Sequence, residues 1–177
     1  MRTKFFWRSA AVAVAAIAML TLQTRTASAQ DDKYKAIFIY NFAINIEWPA
    51  SEVNGDFVIC VVNQGDVLEA VRSMAQGKMV RNKTITVVGV KSINDIPECQ
   101  ILYLPSSESN ADKISSAVAK VGSAATLIVS DSPGALENGS CINFVKDEEK
   151  IKYEASKKNF ESHRLQAHPS MFDAAVH

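Results

Sequence analysis

Three cysteines carry the most specific chemistry in this chain, because paired thiols can form a disulfide. Cys60, Cys99 and Cys141 each lie in, or at the start of, an apolar run typical of a buried strand. In an oxidising compartment two of them are expected to pair, which leaves one odd thiol. A bridge between Cys60 and Cys99 would close a loop of about 40 residues and add a few kcal/mol of stability. Cys141 has the surroundings of a small buried hydrophobic residue rather than of a nucleophile. The spacing alone leaves the pairing open.

The histidines and serines form none of the arrangements that metal binding or nucleophilic catalysis requires. His163, His168 and His177 all lie in the final 15 residues, with no cysteine or carboxylate at ligand spacing. We expect them to be solvated tail residues. The sequence holds no G-x-S-x-G elbow and no glycine-rich phosphate loop. It therefore predicts no catalytic residue, no metal site and no cofactor, which describes a protein that is not an enzyme.

Two polar loops that follow predicted strands form a candidate ligand site. Ser106 and Ser107 follow one buried run, and Ser130 and Asp131 follow the next. In open α/β sheets small ligands bind at the carboxyl ends of the strands, where serine hydroxyls and helix-start amides can hold an anion. Asp131 also suits the capping of a turn. A small-ligand-binding module is therefore the alternative function, and a hydrolase that uses Asp131 or a serine is a weaker one.

The first 29 residues have the three parts of a secretory signal peptide. Arg2, Lys4 and Arg8 form a basic head, residues 10–22 form an apolar core, and Ala27-Ser28-Ala29 has the small-residue pattern of a cleavage site. The apolar core is shorter than the roughly 20 residues that a membrane-spanning helix needs. We therefore predict a leader over residues 1–29, a single mature domain over 30–177, and export to the periplasm without membrane insertion after cleavage.

The charge of the predicted mature chain argues against two classes of partner. Without the four basic residues of the leader, it carries 15 basic and 19 acidic residues, a net charge of −4. No basic stripe interleaved with aromatic residues is present, so nucleic-acid binding has no electrostatic basis. Attraction to an anionic membrane surface is disfavoured for the same reason.

The segment from Asp31 to Trp48 predicts a helix that is apolar on almost every side and stops at Pro49. Such a helix must be covered on all sides. Either the sheet and the other helices cover it, or a second chain covers part of it. A homodimer or a partner contact is expected to use the candidate interface residues Phe38, Tyr40, Phe42 and Trp48.

The remaining pattern predicts one α/β domain. Uniformly apolar runs indicate strands that are buried on both faces, and helical segments separate them. Two alternating runs joined by a charged turn form a C-terminal hairpin, and a polar last segment is expected to be a helix that Pro169 bends or ends. We predict a three-layer fold with a largely parallel sheet flanked by helices. Its strands are placed at 57–62, 84–90, 100–104, 126–129, 141–145 and 151–155, and its last helix at 156–175.

An ordered set of segments resembles the YfiR family of periplasmic proteins. The resemblance covers nearly all of the predicted mature chain. It rests on residues 35–42 with Trp48-Pro49, on 57–61, on 99–104, on 130–134 followed by Gly139 and 142–144, and on 151–154.

The resemblance implies a regulator that represses an inner-membrane diguanylate cyclase. Members of the family bind the periplasmic sensor region of such a cyclase and thereby lower cyclic di-GMP and biofilm formation, under control by cysteine redox state and dimerisation. The resemblance also implies that Cys60 and Cys99 form a disulfide. Cys141 matches a family cysteine whose usual partner is missing, since Gly134 stands in that region, so no second bridge is implied.

Overall fold

The computed structural model describes residues 28–49, 55–63, 65–148 and 150–176. The basic head and apolar core of the predicted leader, and His177, lie outside these residues. Within the described part of the chain, no helix is long and apolar enough to cross a membrane.

A mixed sheet of seven strands forms the centre of the fold, in the order β3-β4-β2-β5-β6-β7-β8. Strands β4, β2, β5, β6 and β7 are parallel, and β3 and β8 are antiparallel to their neighbours at the two ends. The sheet strands are β2 (Phe57–Val62), β3 (Met79–Val80), β4 (Lys83–Val90), β5 (Ile101–Leu104), β6 (Leu127–Ser130), β7 (Ile142–Asp147) and β8 (Lys150–Ala155).

Helices flank this sheet and a separate two-stranded sheet lies apart from it, so the predicted α/β fold with a C-terminal antiparallel hairpin is confirmed. Helix α1 runs through residues 28–45 of the described chain. The other helices are α2 (Asp66–Ala75), α3 (Ala111–Val121), α4 (Lys157–Ser162) and α5 (Pro169–Asp173), and the small sheet pairs β1 (Ile46–Glu47) with β9 (Gln166–Ala167).

The last segment differs from the single helix that its sequence predicts. It is divided into α4, β9 and α5, because β9 pairs with β1 from the other end of the chain. Pro169 begins α5 rather than ending a helix. The first helical position suits proline, since its missing N–H would have no partner inside the helix there.

Aromatic side chains fill the space between α1 and the last two strands of the sheet, β7 and β8. Phe42 stacks on Phe144 with ring centroids 6.1 Å apart and meets Tyr153 edge-on at 5.1 Å. Phe38 contacts the same two rings at 6.0 and 5.7 Å. These contacts fix α1 to β7 and β8, which positions the side chains described next.

Candidate functional site

Helix α1 has one buried side and one exposed side in the folded chain. Ala36, Ile39, Phe42 and Ala43 are buried on its inner side. On the opposite side Tyr34, Ile37 and Ile44 expose 46%, 42% and 48% of their surface. These three residues, here called the α1 stripe, are separated by three and seven positions and therefore lie on one face. The fold covers one side of the helix and leaves an apolar line on the other.

The four candidate interface residues divide between core and partly exposed positions. Phe42 and Trp48 are only 2% and 5% exposed, so the chain itself covers them. The indole Nε1 of Trp48 donates to the Gln100 carbonyl oxygen at 3.2 Å. Phe38 and Tyr40 are half-buried, and the Lys78 ammonium lies 4.4 Å from the centroid of the Tyr40 ring.

Because Phe42 and Trp48 are buried, the exposed apolar surface of α1 is formed by other residues. The expectation that α1 is covered on all sides is not met within the chain, because the α1 stripe stays exposed on the side opposite Ile39 and Phe42. The helical spacing of Tyr34, Ile37 and Ile44 was the signal that could have identified the α1 stripe from the sequence.

A polar cluster joins α1 to the carboxyl end of β6. The Lys35 ammonium lies 2.5 Å from the Asp131 carboxylate, and both side chains are largely buried. Burial raises the pKa of Asp32, an effect that Asp66 and Asp131 reinforce and Lys35 opposes. Burial, and then the charge of Asp131, hold the pKa of Tyr103 well above its usual value. The cluster anchors the first turns of α1 through buried charge.

The two candidate ligand loops meet where the Ser132 hydroxyl donates to the Ser109 carbonyl oxygen, and their candidate residues differ in burial. Ser130 is fully buried, and its hydroxyl lies within hydrogen-bonding distance of Ser140 Oγ (2.8 Å) and Asn143 Oδ1 (3.1 Å). Asp131 is engaged by Lys35. Ser106 and Ser107 are exposed, in a separate 3-10 turn. The polar atoms of Ser130 and Asp131 therefore serve the fold in this conformation, and a ligand site at these loops stays a prediction.

The three cysteines are buried thiols in this structure. A hydrogen bond from the Cys99 thiol lowers the pKa of Cys60, whereas the same contact together with burial raises the pKa of Cys99. Cys60 and Cys99 are therefore neighbours, and their disulfide stays a prediction. Burial raises the pKa of Cys141 to about 12, which suits the small buried hydrophobic residue that its sequence surroundings indicate.

His163 differs from the solvated residue that its position predicts. It is only 3% exposed, and its Nδ1 lies 3.3 Å from the Ala124 carbonyl oxygen. Burial lowers the pKa of His163. Among the described residues, no group of three or more histidine, cysteine or carboxylate side chains is placed to hold a metal ion.

The sequence profile of the YfiR/HmsC-like family matches residues 32–176, which is most of the chain. The chain belongs to the YfiR/HmsC-like family. This membership confirms the resemblance drawn from the sequence motifs and supports a regulatory role in the periplasm rather than a catalytic one. No curated protein sequence matches this YfiR/HmsC-like protein.

Two solved structures share the fold of this YfiR/HmsC-like protein. A conserved domain protein from Vibrio cholerae has a TM-score of 0.51 at 11% identity, over 70% of this chain and 54% of that chain. The ABC domain in complex with L-Trp from Streptococcus pneumoniae has a TM-score of 0.52 at 14% identity, over 68% of this chain and 54% of that chain. The chain thus spans about half the length of each, and at these identities the likeness shows the fold alone.

Proposed function

We propose that this protein is a periplasmic regulator that represses an inner-membrane diguanylate cyclase by binding its periplasmic sensor region. It thereby lowers cyclic di-GMP and biofilm formation. The observation that carries the proposal is the family match over residues 32–176. The proposal includes export with removal of residues 1–29 and a homodimeric state.

The α1 stripe is the surface that we assign to the cyclase. It extends over eleven residues of helix, a length of about 15 Å at the usual rise. Exposed Lys33 borders it, and exposed Asn41 lies within it between Ile37 and Ile44. The aromatic contacts of Phe38 and Phe42 hold the helix from the other side. A rigid helix with apolar side chains at such spacing fits a hydrophobic groove on a partner.

The test compares gene deletion with complementation by variants of the full-length gene. Deletion is expected to raise cyclic di-GMP and surface attachment, and the wild-type gene is expected to restore both to low values. The double variant Ile37→Asp/Ile44→Asp is expected to fail in restoration, because carboxylates cannot be buried unpaired in an apolar contact. Its melting temperature should stay close to that of the wild type, since both positions are exposed.

The matched control is Ala119→Asp, which places a carboxylate at an exposed position of α3. This variant is expected to restore low cyclic di-GMP. Unchanged cyclic di-GMP after deletion would contradict the proposed function. Full restoration by the Ile37→Asp/Ile44→Asp variant would instead contradict only the assignment of the α1 stripe.

A further inference from the structure

The two edges of the seven-stranded sheet differ in how much of their backbone is hydrogen-bonded to other segments. At the β8 edge the chain returns and covers the strand, because the Val176 amide donates to the Tyr153 carbonyl oxygen at 2.9 Å. The Tyr153 hydroxyl also donates to the Met171 carbonyl oxygen at 2.8 Å. At the other edge β3 pairs with β4 only at Lys83 and Thr84. Most of the outer side of β4 therefore has no strand beside it among the described residues.

The hydrogen-bond pattern of β4 shows which backbone groups face outward. The Ile85 amide donates to the Lys78 carbonyl oxygen, on the outer side, whereas the Val90 carbonyl oxygen accepts from the Asn63 amide on the β2 side. Backbone groups alternate in direction along a strand. Val87 and Gly89 consequently direct their N–H and C=O groups outward, where no backbone partner lies among the residues that the structure describes.

This edge lacks the features that normally prevent strand pairing. Proteins protect exposed edges with proline, charged residues, bulges or a covering segment. The stretch from Thr84 to Val90 contains no proline and no charged residue, and β4 stays in regular register with β2 over Ile85–Val90. An edge of this kind is a template for a further strand.

A groove beside the edge offers room for the side chains of that strand. Its volume is about 520 Å³, and it lies between the exposed side of α2 and the outer part of β4. Ala75, Ile85 and Val87 give part of it an apolar lining, and its other side chains are polar, namely Glu69, Arg72, Ser73 and Gln76, of which Arg72 and Glu69 form an ion pair of 2.7 Å. The apolar part includes Ile85 and Val87 of β4, so apolar side chains at alternate positions of an added strand would meet them there.

The position of α2 argues against a second copy of β4 as the occupant. A Cβ added to Gly89 would lie 2.4 Å from a Leu68 methyl carbon, which shows that α2 packs directly over β4. Antiparallel pairing of two β4 edges would place both α2 helices on one face, over strands about 5 Å apart. Packed helices need axes about 8–10 Å apart. An extended segment without such a helix avoids this clash.

A charge beside β4 indicates one end of the segment. Strand β3 already pairs with Lys83 and Thr84, so an added strand has room only beyond Ile85. Lys91 lies directly after the end of β4 and forms no ion pair with another described residue. An acidic residue at that end of the added strand would meet this cation.

We propose that the outer edge of β4 binds an extended segment of a partner protein by strand addition. The segment is apolar at alternate positions and acidic at the end that lies beside Lys91. Its backbone pairs with Val87 and Gly89, and its apolar side chains enter the groove beside α2. This surface differs from the α1 stripe, so the inference does not rest on the proposed function.

The probe for the test is a capped peptide, Glu-Thr-Val-Thr-Val, which is short enough to pair beyond β3, added to the mature full chain. Binding is expected to slow hydrogen exchange at the Val87 and Gly89 amides. A peptide with N-methylated valines, which removes donors from the pairing edge, is expected to bind about tenfold more weakly or worse. A peptide with lysine in place of the glutamate should also bind more weakly at low salt.

A substitution in the protein, rather than in the peptide, gives a matching test. Val87→Pro removes an outward N–H that the sheet does not use, and proline is tolerated at such edge positions. Val87→Pro is expected to abolish peptide binding. If this variant does not fold, comparing the N-methylated and the unmodified peptide on the wild-type protein still tests the proposal. Equal binding of all three peptides would overturn the proposal. A dimer with Val87 and Gly89 already protected without peptide would overturn it too, since a second copy would then hold the edge.

Discussion

At the scale of single residues, the cysteines separate into a neighbouring pair and an isolated thiol. Cys60 lies inside β2 and Cys99 just before β5, and the two thiols are near enough for each to shift the pKa of the other. Cys141 is buried elsewhere, and Gly134 stands where the family resemblance places its usual partner. Gly134 has a φ of 73°, which glycine adopts without strain and cysteine does not. The turn at this position is therefore built for glycine.

We expect the exported protein to contain a Cys60–Cys99 disulfide. Closing a loop of this length is worth about 4 kcal/mol in the chain-entropy model, so reduction should lower the melting temperature of the wild type. Cys60→Ala should have a melting temperature that dithiothreitol does not change. Cys141→Ala is the control and should respond to dithiothreitol as the wild type does. Mass mapping without reductant that finds Cys60 and Cys99 as free thiols would contradict the prediction.

Asp32 is expected to make stability depend on pH. Burial raises its pKa in the folded protein above the ordinary value of 3.8. The folded state therefore binds this proton more tightly, and the contribution of Asp32 to stability is present below that value and lost as the pH rises through the folded-state pKa.

The Asp32→Asn variant removes this ionisation. We expect its free energy of unfolding to exceed that of the wild type at neutral pH, and the difference to disappear well below pH 3.8. Urea unfolding over a pH series measures both quantities. Asp95→Asn, at an exposed aspartate, serves as the control and should show no such trend. A destabilised Asp32→Asn at neutral pH would show that its carboxylate makes a favourable contact.

At the scale of elements, α1 is held by packing on one side and by charge at its start. Phe38 and Phe42 contact Phe144 and Tyr153, and Lys35 pairs with Asp131. The helix is therefore a fixed part of the domain, and the α1 stripe is presented in a defined position. Order of this kind lowers the entropy cost of binding a partner.

The close contact between α2 and β4 gives a prediction at the same scale. Gly89→Ala is expected to destabilise the protein by about 1–3 kcal/mol, since Leu68 must move to admit the added methyl group. Gly65→Ala is the matched control, because nothing lies within 4 Å of a Cβ added there. Its effect should be below about 0.5 kcal/mol, as the weaker N-cap and the stiffer unfolded chain oppose each other. Chemical denaturation measures both, and equal effects would show that α2 can shift freely.

At the scale of the whole molecule, the covered and uncovered surfaces follow from where the chain ends return. The C-terminal segment covers β8, and α1 covers the face of β7 and β8. The α1 stripe and the outer edge of β4 beyond Ile85 are left uncovered by the described residues. They lie on different elements, so substitutions in one should leave binding at the other unchanged, which keeps the two proposals separable.

The fold class could be derived from the sequence because its signal is local. Apolar runs such as Phe57–Val62 and Leu127–Ser130 form strands buried on both faces, and the motifs around them were sufficient to indicate the family. Short pairings were not foreseen. Strand β3 has two residues, and β1 pairs with β9 about 120 positions later in the chain. No run of residues in the sequence indicates either pairing.

The sequence by itself determined that α1 is a helix rich in apolar residues, that the sheet is largely parallel, and that the chain is a YfiR/HmsC-like protein. Only the tertiary structure decided that Phe42 and Trp48 belong to the core and that Ile37 and Ile44 face outward. It also decided that Lys35 reaches Asp131 and that β3 pairs with only the first part of the outer edge of β4. The physical reason is that periodicity depends on neighbours along the chain, whereas burial and pairing depend on segments that only folding brings together.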